Sequence, residues 1–500
     1  MIVQVYTNRG NKYVRVVHSY RDPETNKPKM KVIKNYIYNF SNQILMLILP
    51  FITTPYVTRV FTSSELGSYG YYNSIVSYFA LLATLGIGNY AVKEISSNSS
   101  NRSKVFWEIY TLQLVFSFIS LGLYILLCLV NNSFHNVIAY ILGITLLSRA
   151  IDISWLFQGV EDFRSLTFRS VMIKLIGVVS IFVFIKKESD LYLYIFLIVF
   201  YELLGQVIMW IPARKWLQNP VFSVKDSIKH LNAVFILFVP QVAMSLYALL
   251  DRTLLGALVS TRDVGIFEQG NKLVNLLLVV VTTLSGVILP HVSNLISKGE
   301  KEKVNQFYEF SFLVYNTVIF PLIAGMLIVN DNFVQFFLGS EFQDAKYAIM
   351  IMVWKMFFIG WTNIMGIQIL IPHNKHKEFM VSTTIPAFFS ITCNLVLIPY
   401  LGYIGAAITS VLTESVVWFI QLYYAREVMK ELTILTHLIK VALATAAMSG
   451  ILVVVRSLIH FTPMLNVMIL AVIGMLVYGI IVVSFKIINI KEIKNLLKHS

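Results

Sequence analysis

The run Pro463-Met464-Leu465-Asn466-Val467-Met468-Ile469-Leu470-Ala471-Val472-Ile473-Gly474-Met475-Leu476-Val477-Tyr478-Gly479-Ile480-Ile481-Val482-Val483-Ser484-Phe485 carries no charged side chain. As a helix it is long enough to cross the hydrocarbon core of a bilayer. Working back from this span, placed near 463–487, similar stretches lie near 37–57, 69–92, 107–130, 135–157, 166–186, 191–211 and 231–258. Others lie near 271–295, 308–329, 347–371, 379–399, 403–424 and 437–456. The total is about fourteen, joined by loops mostly under about twenty residues. Hydrophobic residues make up 57% of the chain and charged ones 13%, whereas a soluble domain carries about a quarter charged. Lipid-exposed segments must satisfy their own backbone hydrogen bonds, and these runs lack the alternation of barrel strands. The expected fold is therefore an all-α polytopic membrane protein with almost no soluble domain.

Lysine and arginine in the loops set the expected orientation. With the N-terminus inside, inner loops hold basic residues from Lys93 through Lys430, and the tail adds Lys486, Lys491, Lys494 and Lys498. Outer loops hold only Arg59, Lys186, Lys187, Arg262, Lys346 and Arg456, a bias of about three to one. Both termini are then cytoplasmic. The net charge of +14 follows from this scatter over many loops and does not suggest nucleic-acid binding. Cys128 and Cys393 lie inside apolar stretches, so neither a disulfide framework nor a cysteine metal site is expected.

Residues 1–29 stand apart. They are polar and basic, with no apolar core of the signal-peptide kind. One reading is a solvated basic tail. The other is a fusion or misplaced start, because Ser19-Tyr20-Arg21-Asp22-Pro23-Glu24-Thr25-Asn26-Lys27-Pro28-Lys29 resembles the N-terminal segment of certain insertion-sequence transposases. Met30 would then be the start, with Lys31 and Lys34 before the first span.

Two copies of one pattern mark an internal repeat. Glu65-Leu66-Gly67-Ser68-Tyr69-Gly70-Tyr71-Tyr72-Asn73 and Asp263-Val264-Gly265-Ile266-Phe267-Glu268-Gln269-Gly270-Asn271 align at an offset of 198. Both read acid, aliphatic, Gly, any residue, aromatic, three residues, Asn. Each follows a proline-bearing span, with Pro50 and Pro55 in one and Pro240 in the other. The pattern is expected to form a tight outer turn between helices, its glycine allowing the chain to reverse. Six spans separate the copies, so the halves enter with one orientation, related by an axis along the membrane normal. The expected organisation is an extension at 1–29, six-helix bundles at 30–228 and 229–430, and two additional helices with a basic tail at 431–500.

Further motifs carry a family resemblance over roughly residues 30–490. They are Leu49-Pro50-Phe51-Ile52-Thr53-Thr54-Pro55-Tyr56-Val57-Thr58-Arg59-Val60, Asn73-Ser74-Ile75-Val76-Ser77-Tyr78-Phe79, and Leu85-Gly86-Ile87-Gly88 followed by Lys93-Glu94-Ile95. Asp251-Arg252-Thr253-Leu254-Leu255-Gly256 and Leu401-Gly402-Tyr403-Ile404-Gly405-Ala406-Ala407 complete them. In order and spacing the chain resembles the Wzx-type polysaccharide repeat-unit flippases of the multidrug/oligosaccharidyl-lipid/polysaccharide exporter superfamily. It departs at Lys93, where many relatives carry arginine, and in residues 1–29. The resemblance implies a V-shaped pair of bundles in a bacterial plasma membrane. It also implies an undecaprenyl-pyrophosphate-linked oligosaccharide as cargo, moved to the outer leaflet by alternating access. Membrane lipids and other polysaccharide-assembly proteins are the implied partners, and no cofactor is implied.

Such a cargo needs buried cations for its pyrophosphate. Arg149 and Asp152 lie mid-span three residues apart, either as an ion pair that packs the bundle or as lining of the path. Asp251 and Arg252 are adjacent and point about 100° apart, so at least one must face a neighbour or cavity. Lys174 and Lys355 have no evident carboxylate on their own helices and are the preferred phosphate ligands. Arg59 and Lys272 lie near the outer surface, where they either snorkel or join the path. Glu202 and Glu414, at matching places in the two halves, are candidates to carry a proton or sodium, or to pack as hydrogen-bonded groups.

Enzyme readings find little support. A membrane polysaccharide polymerase or ligase needs a large outer catalytic loop, and the outer loops near 259–270 and 330–346 are short. His373 and His376 flank Lys375 in a basic turn better explained as solvated than as a metal site. Within transport, a lipid II flippase stays open. A cation-coupled drug exporter fits a basic interior less well, and a membrane scaffold would not need buried lysines.

Overall fold

The computed structural model describes residues 2–8, 11–17, 45, 48–98, 100–282, 292, 295–296 and 298–485. Residues 19–29, Lys31, Lys34, the beginning of the span at 37–57, most of the far end of the span at 271–295 and the tail lysines lie outside the described residues. At the N-terminus, β1 (Ile2–Asn8) pairs antiparallel with β2 (Asn11–Val17), Ile2 opposite Val17. This hairpin departs from the expected featureless tail. Its signal is the run of β-branched and aromatic residues in both strands.

The rest of the described chain is built from helices. The N-terminal half has α1 (48–60), α2 (Ser63–Thr84), α3 (Ile87–Ser97), α4 (Arg102–Val130), α5 (Val137–Ile151), α6 (Ser154–Gly159), α7 (Phe163–Phe184) and α8 (Leu191–Ala213). A connector with the single turn α9 (Val224–Ser227) leads to α10 (Leu231–Leu258) and α11 (Thr261–Thr282). Then follow α12 (Lys301–Phe337), α13 (Ala345–Met352), α14 (Lys355–Thr362), a π-helical stretch Asn363–Leu370, α15 (His376–Leu401), α16 (Tyr403–Lys430), α17 (Ile434–Leu458) and α18 (Pro463–Ser484). Eleven helical segments among the described residues are long and apolar enough to cross a membrane. The places of the expected first, seventh and eighth spans hold α1, α10 and α11.

The repeated pattern is not a turn. The chain reverses just ahead of each copy, and the pattern itself opens a helix. Thr62 caps α2, its hydroxyl accepting from the Glu65 amide at 3.3 Å while Glu65 Oε2 accepts from the Thr62 amide at 2.9 Å. Ser260 and Asp263 repeat part of this arrangement at α11, the Asp263 amide donating to Ser260 Oγ at 3.1 Å and the Ser260 hydroxyl to Asp263 Oδ2, while the Ser260 amide goes to the Leu255 carbonyl. The shared acid is thus a helix-capping residue.

The shared glycine brings two helices together. A Cβ on Gly67 would fall 1.6 Å from the Thr261 carbonyl oxygen, and one on Gly265 would fall 2.0 Å from that of Ser63. Ser64 Oγ and Thr261 Oγ1 are 2.9 Å apart beside this crossing. Only glycine permits such backbone approach, as in small-residue helix crossings within membranes. α2 and α11 therefore hold the halves together at one end, and α2 also packs on α10.

Two expected spans are interrupted. Leu85 and Gly86 take positive φ (44° and 70°) between α2 and α3, and Asp152 leaves the helical region (ψ 115°) between α5 and α6. Arg149 and Asp152 consequently do not share one continuous helical face. α17 and α18 pack on α12 through Val441, Met448, Leu452, Leu470 and Tyr478.

The connector is fastened to the N-terminal half. Glu108 Oε2 accepts from Lys229 at 2.7 Å and lies 3.1 Å from His230 Nε2. His230 Nδ1 lies 2.6 Å from the Tyr90 hydroxyl. Trp107 donates to the Gln218 carbonyl, and the Gln218 amide donates to Ser103.

Candidate functional site

Among the described residues, the charged candidates inside the bundle gather mainly in three places. The first is a cavity of about 500 Å³ between α2, the two helix interruptions and α10, lined by Ser77, Thr84, Asn89, Gln113, Arg149, Asp152 and Trp155 among others. Interrupting α5 frees backbone carbonyls, and Gln113 of α4 satisfies them. Its Nε2 donates to the Arg149 and Asp152 carbonyls, both at 2.8 Å, and its Oε1 accepts from Trp155 Nε1 at 3.0 Å. Asp152 Oδ1 accepts from the Ser154 amide, capping α6. The Arg149 guanidinium reaches across to Glu202 of α8, Nη2 to Oε1 at 2.9 Å. Arg149 therefore pairs with Glu202 rather than with Asp152.

The second place is a cavity of about 450 Å³ between α1, α7 and α8, lined by Thr53, Arg169, Lys174, Gly177, Tyr194, Tyr201, Glu202 and Gln206 with aliphatic neighbours. Arg169 donates to Gln206 Oε1 at 3.0 Å and lies within electrostatic reach of Asp152 and Lys174. Arg169 was not among the sequence candidates. Its signal was an arginine three residues inside an expected span, where a basic residue is ordinarily read as an interfacial anchor.

The third group lies nearer the α2–α11 crossing. Arg252 Nη1 is 3.5 Å from Glu268 Oε1, and Lys272, one turn along α11, is within electrostatic reach of both. Lys272 is half-buried beside this charge group. Asp251, 8% exposed, accepts from Asn394 Nδ2 at 2.6 Å. Lys355, 5% exposed, donates to Asn271 Oδ1 and is within electrostatic reach of Glu414 and Asp251. Carboxylates absent from its own helix are supplied by α10 and α16. Three cations here face three carboxylates, and Glu268 was another residue the sequence reading missed. Glu268 sits over Gly70, where a Cβ would fall 2.0 Å from its Oε2.

Arg59 stands apart, donating to the Pro55 and Phe336 carbonyls at the exposed end of α1. His373 Nδ1 lies 2.8 Å from the Ile369 carbonyl. Among the described residues no cluster of three or more His, Cys, Asp or Glu is arranged to hold a metal ion.

The family model described as polysaccharide biosynthesis protein matches residues 32–296, just over half of the chain. The chain belongs to this family. A protein of Escherichia coli strain K12 to which O-antigen transport is ascribed is 25% identical over 413 residues, covering 80% of this chain and 98% of that one. The capsular polysaccharide biosynthesis protein CapF of Staphylococcus aureus is 19% identical over 412 residues, 79% of this chain and all of that one. Among solved structures, the lipid II flippase MurJ in its inward closed conformation matches with TM-score 0.71 at 16% identity, covering 91% of this chain and 98% of that one. An inward-facing multidrug MATE transporter of the MOP superfamily matches with TM-score 0.58 at 13% identity, covering 79% and 94%. Together these place this polysaccharide-family chain, a multi-pass membrane protein, on the fold shared by MurJ and the MATE transporter.

Proposed function

We propose that this protein is a flippase for a polyprenyl-pyrophosphate-linked oligosaccharide, taking it from the cytoplasmic to the outer leaflet by alternating access. The observation that carries the reading is the position of the first cavity. It lies along the Ser77–Thr84 end of α2, away from the Gly67–Gly265 crossing, so one end of the interface is shut where the other holds a polar chamber with Arg149 and Asp152 in its lining. With the N-terminus inside, that chamber faces the cytoplasm. The first and second cavities together bring Arg149, Arg169 and Lys174 against Asp152 and Glu202, a surplus of positive charge suited to a pyrophosphate.

In this mechanism Arg149 and Lys174 receive the pyrophosphate at the inner level, and Arg252, Lys272 and Lys355 take it over as the crossing opens. Arg59 lies at the outer rim of this route. The outer cations are matched by Asp251, Glu268 and Glu414, so they hold the anion less firmly and release it. Glu202 and Glu414 each face a cation and serve as the coupling carboxylates. Replacing each by glutamine and measuring transport against an imposed proton or sodium gradient tests that role.

Lipid II carries the same pyrophosphate on a polyprenyl chain, and the fold likeness to MurJ favours it as the second reading. Deleting the gene distinguishes the two. Surface-polysaccharide repeat units accumulating on the inner leaflet support the first, accumulating lipid II supports the second, and neither accumulating overturns both. Export unchanged in both Lys174→Ala and Lys355→Ala would remove the assigned cationic route.

A further inference from the structure

The first and second cavities have different linings, and one ion pair bridges them. Arg149 lines the first and Glu202 the second, and the two meet at 2.9 Å. Their side chains are 35% and 30% exposed, so both are reachable from their own chamber. Arg169 in the second chamber and Asp152 in the first are also within electrostatic reach of each other. Two cations and two carboxylates thus link the two cavities.

Arg149 Nη2 lies 2.9 Å from Glu202 Oε1. A phosphate presents several oxygens to a guanidinium fork and binds it in two-point fashion, with more charge than a carboxylate. The second chamber combines aliphatic walls from Leu49, Ile173 and Ile198 with Arg169 and Lys174. That is the lining wanted by an anionic headgroup joined to an apolar chain.

Resting on the lipid-pyrophosphate reading, we propose that the Arg149–Glu202 pair is a partition displaced by the cargo's pyrophosphate. The anion enters the first chamber, takes Arg149 from Glu202 and joins the two chambers into one passage. The headgroup then lies across the opened wall, with its apolar chain beside α7 and α8. The ion pair thereby favours cargo that carries the anion over cargo that lacks it.

The test uses the full-length protein with Cys128 and Cys393 replaced by serine and Gly177→Cys in the second chamber. A Cβ at Gly177 meets only the Tyr201 ring, at an ordinary 3.5 Å. Labelling of this thiol by a hydrophilic maleimide is followed with and without inorganic pyrophosphate. Pyrophosphate is expected to raise the rate at least several-fold. Glu202→Gln should give the fast rate without pyrophosphate, and Glu202→Asp should restore slow, pyrophosphate-responsive labelling. A slow Glu202→Gln overturns the partition whatever the cargo. A fast Glu202→Gln with no pyrophosphate effect on the parent overturns displacement and the pyrophosphate reading, while leaving the wall itself demonstrated.

Discussion

Gln113 Nε2 donates to the carbonyl of Asp152 at 2.8 Å, and the same nitrogen reaches the Arg149 carbonyl at 2.8 Å, bridging the interruption that displays Arg149 to the first cavity. Gln113 is 3% exposed, so these groups have little water to turn to. Gln113→Leu should lower stability by about 1–3 kcal/mol, the usual cost of leaving buried polar groups unmade. Export should fall with it. Thermal unfolding in detergent and an export assay check both; a variant as stable as the parent would mean water satisfies the interruption.

Lys174 and Lys355 should behave differently. Removing Lys355 strips a cation from a buried group containing Asp251 and Glu414, and orphaning buried carboxylates costs about 3–5 kcal/mol. Lys355→Ala should therefore lose folded yield as well as transport. Lys174 lines a cavity instead of filling a packed charge group, so Lys174→Ala should insert and unfold like the parent while exporting less. Equal melting temperatures for the two variants would contradict this division.

The helix crossing gives a steric prediction. Gly67→Ala or Gly265→Ala puts a methyl into the opposing backbone, which cannot swing aside, and overpacking of this kind costs about 1–3 kcal/mol. Either change should force the halves apart at this end and impair export. Gly450→Ala, with open space around it, should leave export untouched. Export by each variant at matched membrane abundance is the measurement.

Glu431 offers a pH-dependent contact outside the spanning helices. Its hydrogen bonds from Lys301 (2.6 Å) and Asn305 (3.0 Å) hold its carboxyl below the usual glutamate range. A depressed folded-state value means the contribution is present above the unfolded glutamate pKa and is lost as pH falls through the folded one. Carbon-13 carboxyl titration should show Glu431 protonating at lower pH than free glutamate, and Lys301→Ala should move it back upward. An unshifted titration in the parent would show the contact absent in solution.

Much of the fold was readable because bilayer physics leaves few choices for apolar runs of this length. The repeat was readable too, but its glycines were taken for chain reversal when they serve close helix approach. The reversals are made by two or three residues ahead of each copy, with Thr62 and Ser260 as caps. The acid at each first position was the available signal, since a serine or threonine three residues before an acid marks a helix start. The individual candidates Arg149, Glu202, Lys355 and Asp251 could be named from their depth in apolar runs. Their pairings could not, because Arg149–Glu202 and Lys355–Asn271 join helices far apart in sequence. Glu268 was overlooked because it fell in a stretch assigned to a loop.

The crossing of α2 and α11 has the form of an isologous contact within one chain. Gly67 meets Thr261 and Gly265 meets Ser63, reciprocal partners as across a two-fold axis between identical subunits. A true homodimer would place the same residue on both sides of that axis. Fusion into one chain lifts this requirement, and the position after the shared aromatic uses the freedom: it is Gly70 in one copy and Glu268 in the other. One half yields the space and the other fills it with charge, so the ionisable group beside the crossing is where the local symmetry of the contact breaks.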